Sequence, residues 1–177
     1  MAIPFRADPP GPADSRRWTV GLFVSSDCTR ISATLVAARG QALQLHPEVA
    51  DGLIVQVPAE TAQLWRQLAE PGAARDGLET LAALGSLRTQ LADVEASVVD
   101  ALLDQAGLAP ARILVIGVHD PGLWGGNKAA RESHLGLSDP ARLAEATGMN
   151  VVDAFPGRDL AAGGQGGPLA ILAEWAL

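Results

Sequence analysis

The run from Arg112 to Val118 (Arg-Ile-Leu-Val-Ile-Gly-Val) does most to limit what this chain can fold into. A nearly unbroken apolar run of that length, placed after a helix, reads as a strand buried on both faces of a parallel sheet. The helix before it is written in Leu81, Leu84, Leu87, Leu91, Val94, Val98 and Leu102, which recur every three or four residues. Asp76 with Glu79 resembles a capping box at its start, and Gly107 and Pro110 end it. The spacing predicts one amphipathic helix from about Asp76 to Ala106, with its apolar stripe in the core. Helix and buried strand in succession predict an α/β fold.

Upstream, Trp18 to Val24 and Ile31 to Ala38 are strand-like, and the residues between them, Ser25 to Arg30, are polar apart from Cys28. Arg39-Gly40 makes a turn before a weaker third strand around Ala42 to His46. The expectation is an antiparallel meander. Leu53 to Val57 alternates weakly, and Pro58 starts a short helix carrying Leu64, Trp65 and Leu68 that stops before Pro71-Gly72. Met1 to Arg17 holds Pro4, Pro9, Pro10 and Pro12 and lacks the apolar core of a signal peptide, so residues 1–17 read as a loose tail and 18–177 as a single domain.

Downstream, the buried run ends at His119, where open α/β sheets place their ligands; a histidine bonded to a loop is the plain alternative. Asp120 either orients His119 or opens a turn with Pro121. Gly125 to Gly136 reads as a polar loop containing Lys128, Arg131, Glu132 and His134. Ser138 or Asp139 then caps a helix that starts at Pro140, buries Leu143 and ends at Gly148. The crossover from one parallel strand to the next is right-handed by rule, which sets Asp139 and the segment from Asn150 to Leu169 near the edge that carries His119.

That segment runs from a short β-branched pair, Val151-Val152, to Arg158-Asp159, and then to a loop in which four of five residues from Gly163 to Gly167 are glycine. Glycines let a backbone approach a ligand closely or turn through positive φ, and a flexible loop is the alternative. Pro168 suits the first turn of a helix over the apolar residues Leu169, Ile171, Leu172, Trp175 and Leu177. An exposed face of that kind predicts self-association or a protein partner.

Net charge of −7 and a pI near 4.8 give no electrostatic case for nucleic acid or an anionic membrane. No apolar run is long enough to span a bilayer. The one cysteine, Cys28, cannot close an internal disulfide, and no zinc-ligand spacing is present, so the chain reads as cytoplasmic and without a metal site.

The string Arg158-Asp159-x-Ala-x-Gly-Gly-Gln-Gly-x-Pro-Leu169, with Val151-Val152 and Phe155 before it, resembles a signature of the anhydro-N-acetylmuramic acid kinases. These are bacterial sugar kinases of the actin-like ATPase (ribonuclease H-like) superfamily that recycle cell wall. The resemblance extends to Leu84-Gly-Ser-Leu-Arg-Thr-Gln-Leu-Ala-Asp93, to His119 and Trp124 of a His-Gly-Gln-Thr-x-Trp motif, and to Leu135, Leu137 and Asp139 of a Thr-Leu-Gln-Ile-Gly-Asp run. It implies Asp159 as general base on a water attacking the anomeric carbon while the sugar's 6-oxygen takes phosphate from ATP with Mg2+. It further implies His119, Asp139, Arg158, Gly163, Gly164, Gln165 and Gly166 as the substrate cradle; a surface ion pair is the plain alternative for Arg158-Asp159.

The first hairpin departs from the family. Where those kinases carry Ser-Gly-Thr-Ser-x-Asp-Gly-x-Asp, this chain has Val24-Ser25-Ser26-Asp27-Cys28-Thr29-Arg30-Ile31-Ser32. Only Ser25, Ser26 and Thr29 still offer hydroxyls to a phosphate. A second lobe with the remaining phosphate and adenosine motifs is expected beyond Leu177, so the sequence reads as a fragment or half of a longer ancestor. Two functions follow: an ATP-dependent anhydro-N-acetylmuramic acid kinase or its substrate-side lobe, inactive as this chain alone, or a non-catalytic sugar-binding or protein-interaction scaffold that kept the fold.

Overall fold

The computed structural model describes residues 16–40, 44–69, 76–127 and 130–167. Strand β1 (Arg17–Val24) turns back into β2 (Arg30–Arg39), and β2 into β3 (His46–Gln56), each pair antiparallel. Helices α1 (Ala59–Ala69) and α2 (Gly77–Ala106) then lead to β4 (Ile113–His119), which lies parallel to β1. A hairpin of β5 (Leu123–Asn127) and β6 (Ala130–Leu135) follows, then α3 (Pro140–Thr147), β7 (Val151–Val152), parallel to β4, and α4 (Phe155–Ala161). The main sheet has the order β3-β2-β1-β4-β7. The chain is a mixed α/β fold.

Period-two alternation places the core. Register pairs Val20 with Leu35, Leu22 with Ala33 and Val24 with Ile31, so all six side chains leave one face of the sheet, where all are buried. Against that face α2 sets Leu87, Leu91, Val98, Val99 and Leu102. Truncating such a leucine to alanine costs ~2–5 kcal/mol, because the void only partly collapses. The carboxylate of Asp76 caps α2 by accepting from Leu78 N at 3.3 Å, and Gly107, at φ 63°, ends it in the left-handed region that glycine adopts without strain.

Three expectations need correction. The third strand begins at His46 rather than Ala42 and runs through to Gln56. It is the edge strand, with Pro47 and several outward polar residues, and a register shift opposite Leu35/Val36 breaks its alternation. The loop from Gly125 to Gly136 is mostly the β5–β6 hairpin, which its glycines and charges hid. Finally, β4 is buried on one face only: Ile113, Ile116 and Val118 point into the core, while Leu114 is 53% exposed. On the open face Ile54, Ser32, Phe23 and His119 line up in one row across four strands.

Among the described residues no helix is long and apolar enough to cross a membrane. The tail residues 1–15 and the expected apolar helix from Pro168 to Leu177, with its association surface, lie outside the described residues.

Candidate functional site

The end of the sheet where β1, β4 and β7 finish gathers most of the chemistry. After β7 the chain does not pass directly into the glycine loop. It forms α4 first, so Arg158 and Asp159 are helical residues, and the glycines close back over the helix. Gly166 N donates to Asp159 Oδ2 at 2.8 Å, and Gly164 N donates to the Asp159 carbonyl at 2.9 Å. A Cβ on Gly164 would stand 2.1 Å from Asp159 Oδ2, and one on Gly166 would stand 2.7 Å from Cζ3 of Trp124. The close approach these glycines permit is therefore first to Asp159 and Trp124 of this chain. It fixes the direction of the Asp159 carboxylate through one oxygen.

The other residues expected in the cradle lie on different elements. Arg158 is exposed, and as Asp159's helical neighbour it leaves α4 about 100° around the axis from it. Gly163, at φ 88°, turns the chain out of the helix, and Gln165 is exposed. Asp139 is the N-cap of α3, accepting from Arg142 N at 3.1 Å, as a helix start requires. His119 lies on the open face of the sheet, stacked on Phe23 with ring centroids 5.6 Å apart.

Asp120 takes neither role expected of it. Neighbours at the end of a strand face opposite ways, so Asp120 turns inward, 8% exposed, and accepts from Leu137 N at 2.9 Å and Ser138 N at 3.1 Å. Ser138 in turn donates its hydroxyl to Oε2 of Glu95, a fully buried residue of α2. Burial pushes the Glu95 carboxyl up to about 8; the Ser138 bond and Arg88 oppose this, and Asp120 and Asp139 add to it.

Glu95 carried a legible signal. It sits four residues after Leu91 and three before Val98, a carboxylate on the apolar stripe itself. His134 is the other residue the sequence undervalued. Its ring meets Trp124 edge-on at 4.6 Å, and a Cβ on Gly122 would come within 2.0 Å of its Nε2. Both ring nitrogens are buried without a partner among the described residues. Burial holds its pKa below 6.5, with Asp120 opposing and His119 reinforcing.

The hairpin between β1 and β2 is closed on itself. Asp27 Oδ1 accepts from Ser25 Oγ at 2.7 Å, Thr29 Oγ1 at 2.8 Å and Thr29 N at 3.1 Å. Ser25 Oγ also accepts from Thr29 N at 3.2 Å and Arg30 N at 3.0 Å. Ser26 contributes its carbonyl to Trp65 Nε1 at 3.1 Å. The hydroxyl bonds from Ser25 and Thr29, more than the backbone, lower the Asp27 carboxyl to about 2.

The profile of the anhydro-N-acetylmuramic acid kinase family matches residues 25–177, a span that takes in every candidate residue from Ser25 to Gly166. The chain belongs to the anhydro-N-acetylmuramic acid kinase family. It is similar to anhydro-N-acetylmuramic acid kinases of Bordetella pertussis, Bordetella parapertussis and Bordetella bronchiseptica, each 38% identical over 134 residues. The match covers 68% of this chain and 34% of each relative, so the chain spans about a third of the curated relatives it matches. Within the anhydro-N-acetylmuramic acid kinase family, then, this chain pairs a glycine loop ordered around Asp159 with a first hairpin ordered around Asp27.

Proposed function

We propose that this chain is a sugar-binding lobe of the anhydro-N-acetylmuramic acid kinase type, of the actin-like ATPase fold, and that its first hairpin does not hold a nucleotide phosphate. The fold reading is supported by the sheet order, with three antiparallel strands followed by parallel β4 and β7. Asp159, oriented by Gly166 N beside Trp124, supports the sugar reading: a fixed carboxylate and an aromatic ring are what a general base and a sugar ring need.

The observation that carries the proposal is Asp27. Phosphoryl transfer depends on donors and cations aimed at phosphate oxygens. Here the two hydroxyls and the Thr29 amide already point at an ionised carboxylate, which would also repel phosphate. ATP with Mg2+ does not fit this hairpin. The setting is taken to be cytoplasmic, consistent with the buried free thiol of Cys28.

Calorimetric titration of the purified chain tests both halves. Heat is expected with 1,6-anhydro-N-acetylmuramic acid and none with ATP and Mg2+, and a coupled assay should show no turnover above a no-enzyme control. Saturable ATP binding or turnover would overturn the hairpin reading. Absence of sugar binding would leave the second reading, a binding scaffold that kept only the fold.

A further inference from the structure

We propose that Glu95 is a positioning residue that fixes the Gly136–Asp139 segment at the edge of the site by gripping the Ser138 hydroxyl from inside the core. That the segment borders a sugar rests on the function proposed above; the grip itself does not.

Residues 136–139 lie between β6 and α3 and belong to no ladder or helix, so their backbone groups must find partners elsewhere. Side chains from two other elements supply them. Arg88 of α2 donates to the Gly136 carbonyl. Asp120, at the end of β4, accepts the Leu137 and Ser138 amides. Glu95, about two turns beyond Arg88, takes the Ser138 hydroxyl, so Ser138 is held by its main chain and its side chain at once. Asp139 then starts α3. A leucine at position 95 would satisfy the apolar stripe at no polar cost. A carboxyl buried there needs its hydrogen bond, because burying an unpaired polar group is costly.

Burial first of all makes the state of Glu95 depend on a proton, and the Ser138 bond, which favours the anion, opposes it. Asp120 and Asp139 oppose a second negative charge, Arg88 favours it, and the buried thiol of Cys28 approaches from the hairpin, pushed up to about 12 mainly by burial. With its proton, the Glu95 carboxyl meets Ser138 without setting two carboxylates against each other in a dry site. Ionised, it repels Asp120, which holds the adjacent amides. Opening of the segment exposes Glu95 to water, so opening releases a proton over the range from the ordinary carboxyl value of 4.5 to about 8.

Amide hydrogen exchange on the whole chain tests this. After correction for intrinsic exchange, protection at Leu137 and Ser138 should fall with pH between about 5 and 8, by up to roughly tenfold per pH unit, and level off above. Glu95→Gln keeps the shape and a hydrogen-bonding head without the titration, and its protection should be flat over that range. Anhydro-sugar affinity should follow the same two profiles. Protection that is flat in the parent, or that keeps its slope in Glu95→Gln, overturns the proposal. If the exchange profiles hold and the parent binds no sugar at any pH, the sugar reading fails and the positioning role stands; if the sugar binds with affinity and exchange indifferent to both pH and Glu95→Gln, the positioning role fails and the sugar reading stands. Glu95→Ala, measured only for folding, reports the cost of losing the group altogether.

Discussion

The hairpin around Asp27 and the buried cluster around Glu95 use the same functional group to opposite ends. Each carboxylate accepts hydroxyl hydrogen bonds from serine or threonine, and each holds a loop beside the end of the sheet. Asp27 is exposed, so its bonds stabilise the anion and bring its pKa down to about 2. Glu95 is fully buried, so desolvation outweighs its bond and brings its pKa up to about 8. The hydrogen-bond partner does not decide the state of a carboxyl; the water around it does. The hairpin is thereby closed with a permanent charge, and the Gly136–Asp139 segment with a neutral, titratable group.

The largest expected effect that would break this comparison is in the pH dependence of global stability. A carboxyl raised from 4.5 to about 8 keeps its proton in the folded chain after the unfolded chain has lost it. The Glu95 contribution to stability is then full below about pH 4.5, declines up to about pH 8 and is flat beyond. The loss is on the order of 5 kcal/mol at most, at about 1.4 kcal/mol per pKa unit. Denaturant unfolding at pH 5 and pH 8 should show it in the parent, and Glu95→Gln should remove most of the difference. Equal stabilities at the two pH values would mean that water reaches Glu95 and that the contrast with Asp27 is false.

Asp27 should show the reverse slope and a smaller size. Its folded pKa is depressed, so its contribution is present above 3.8 and is lost as pH falls toward about 2. Asp27→Ala should leave the neutral-pH melting temperature nearly unchanged, because water replaces the lost bonds at an exposed site, while exchange at the Thr29 amide speeds up. It should also remove the charge that opposes phosphate. If the variant then binds ATP where the parent does not, the closure of the hairpin is Asp27's doing; if neither binds, the missing loop glycine at position 25 is the larger obstacle.

Local pattern made much of the fold legible. The α2 stripe, its end at Gly107 and the parallel setting of β4 follow from spacing and composition and are present, and of the two caps read for α3, Ser138 or Asp139, the structure uses Asp139. The β5–β6 hairpin and the length of β3 did not follow, because edge and glycine-rich strands lack the alternation that marks a half-buried one. At the site, the string around Asp159 singled out one segment, but its geometry was not legible. Which partner a glycine loop approaches is a long-range fact, and here the answer is Asp159 and Trp124. Asp120 was misread for a simpler reason: the pleat sends it inward, and its partners lie 17 and 18 residues further along the chain.

The smallest effect is expected where a carboxylate is exposed and its partner is a cation. Asp93 of α2 and Arg142 of α3 form a two-point pair, Nε to Oδ1 at 2.6 Å and Nη2 to Oδ2 at 3.0 Å, with side chains 47% and 53% exposed for Arg142 and Asp93. The Arg142 hydrogen bond lowers the Asp93 carboxyl, as the hydroxyls do for Asp27. The geometry is the strong one for such pairs, yet exposure returns most of the gain to water and salt screens the rest. Arg142→Ala should therefore shift the melting temperature only slightly, and the shift should shrink further as salt is raised to ~0.5 M. The α2–α3 contact should survive it, because Leu143, fully buried on α3, packs into the same core. A loss comparable to that of Glu95→Ala, and insensitive to salt, would show that the link between α2 and α3 rather than burial ranks these carboxylates. Asp27 would then have to be reread as a structural tie of the same kind.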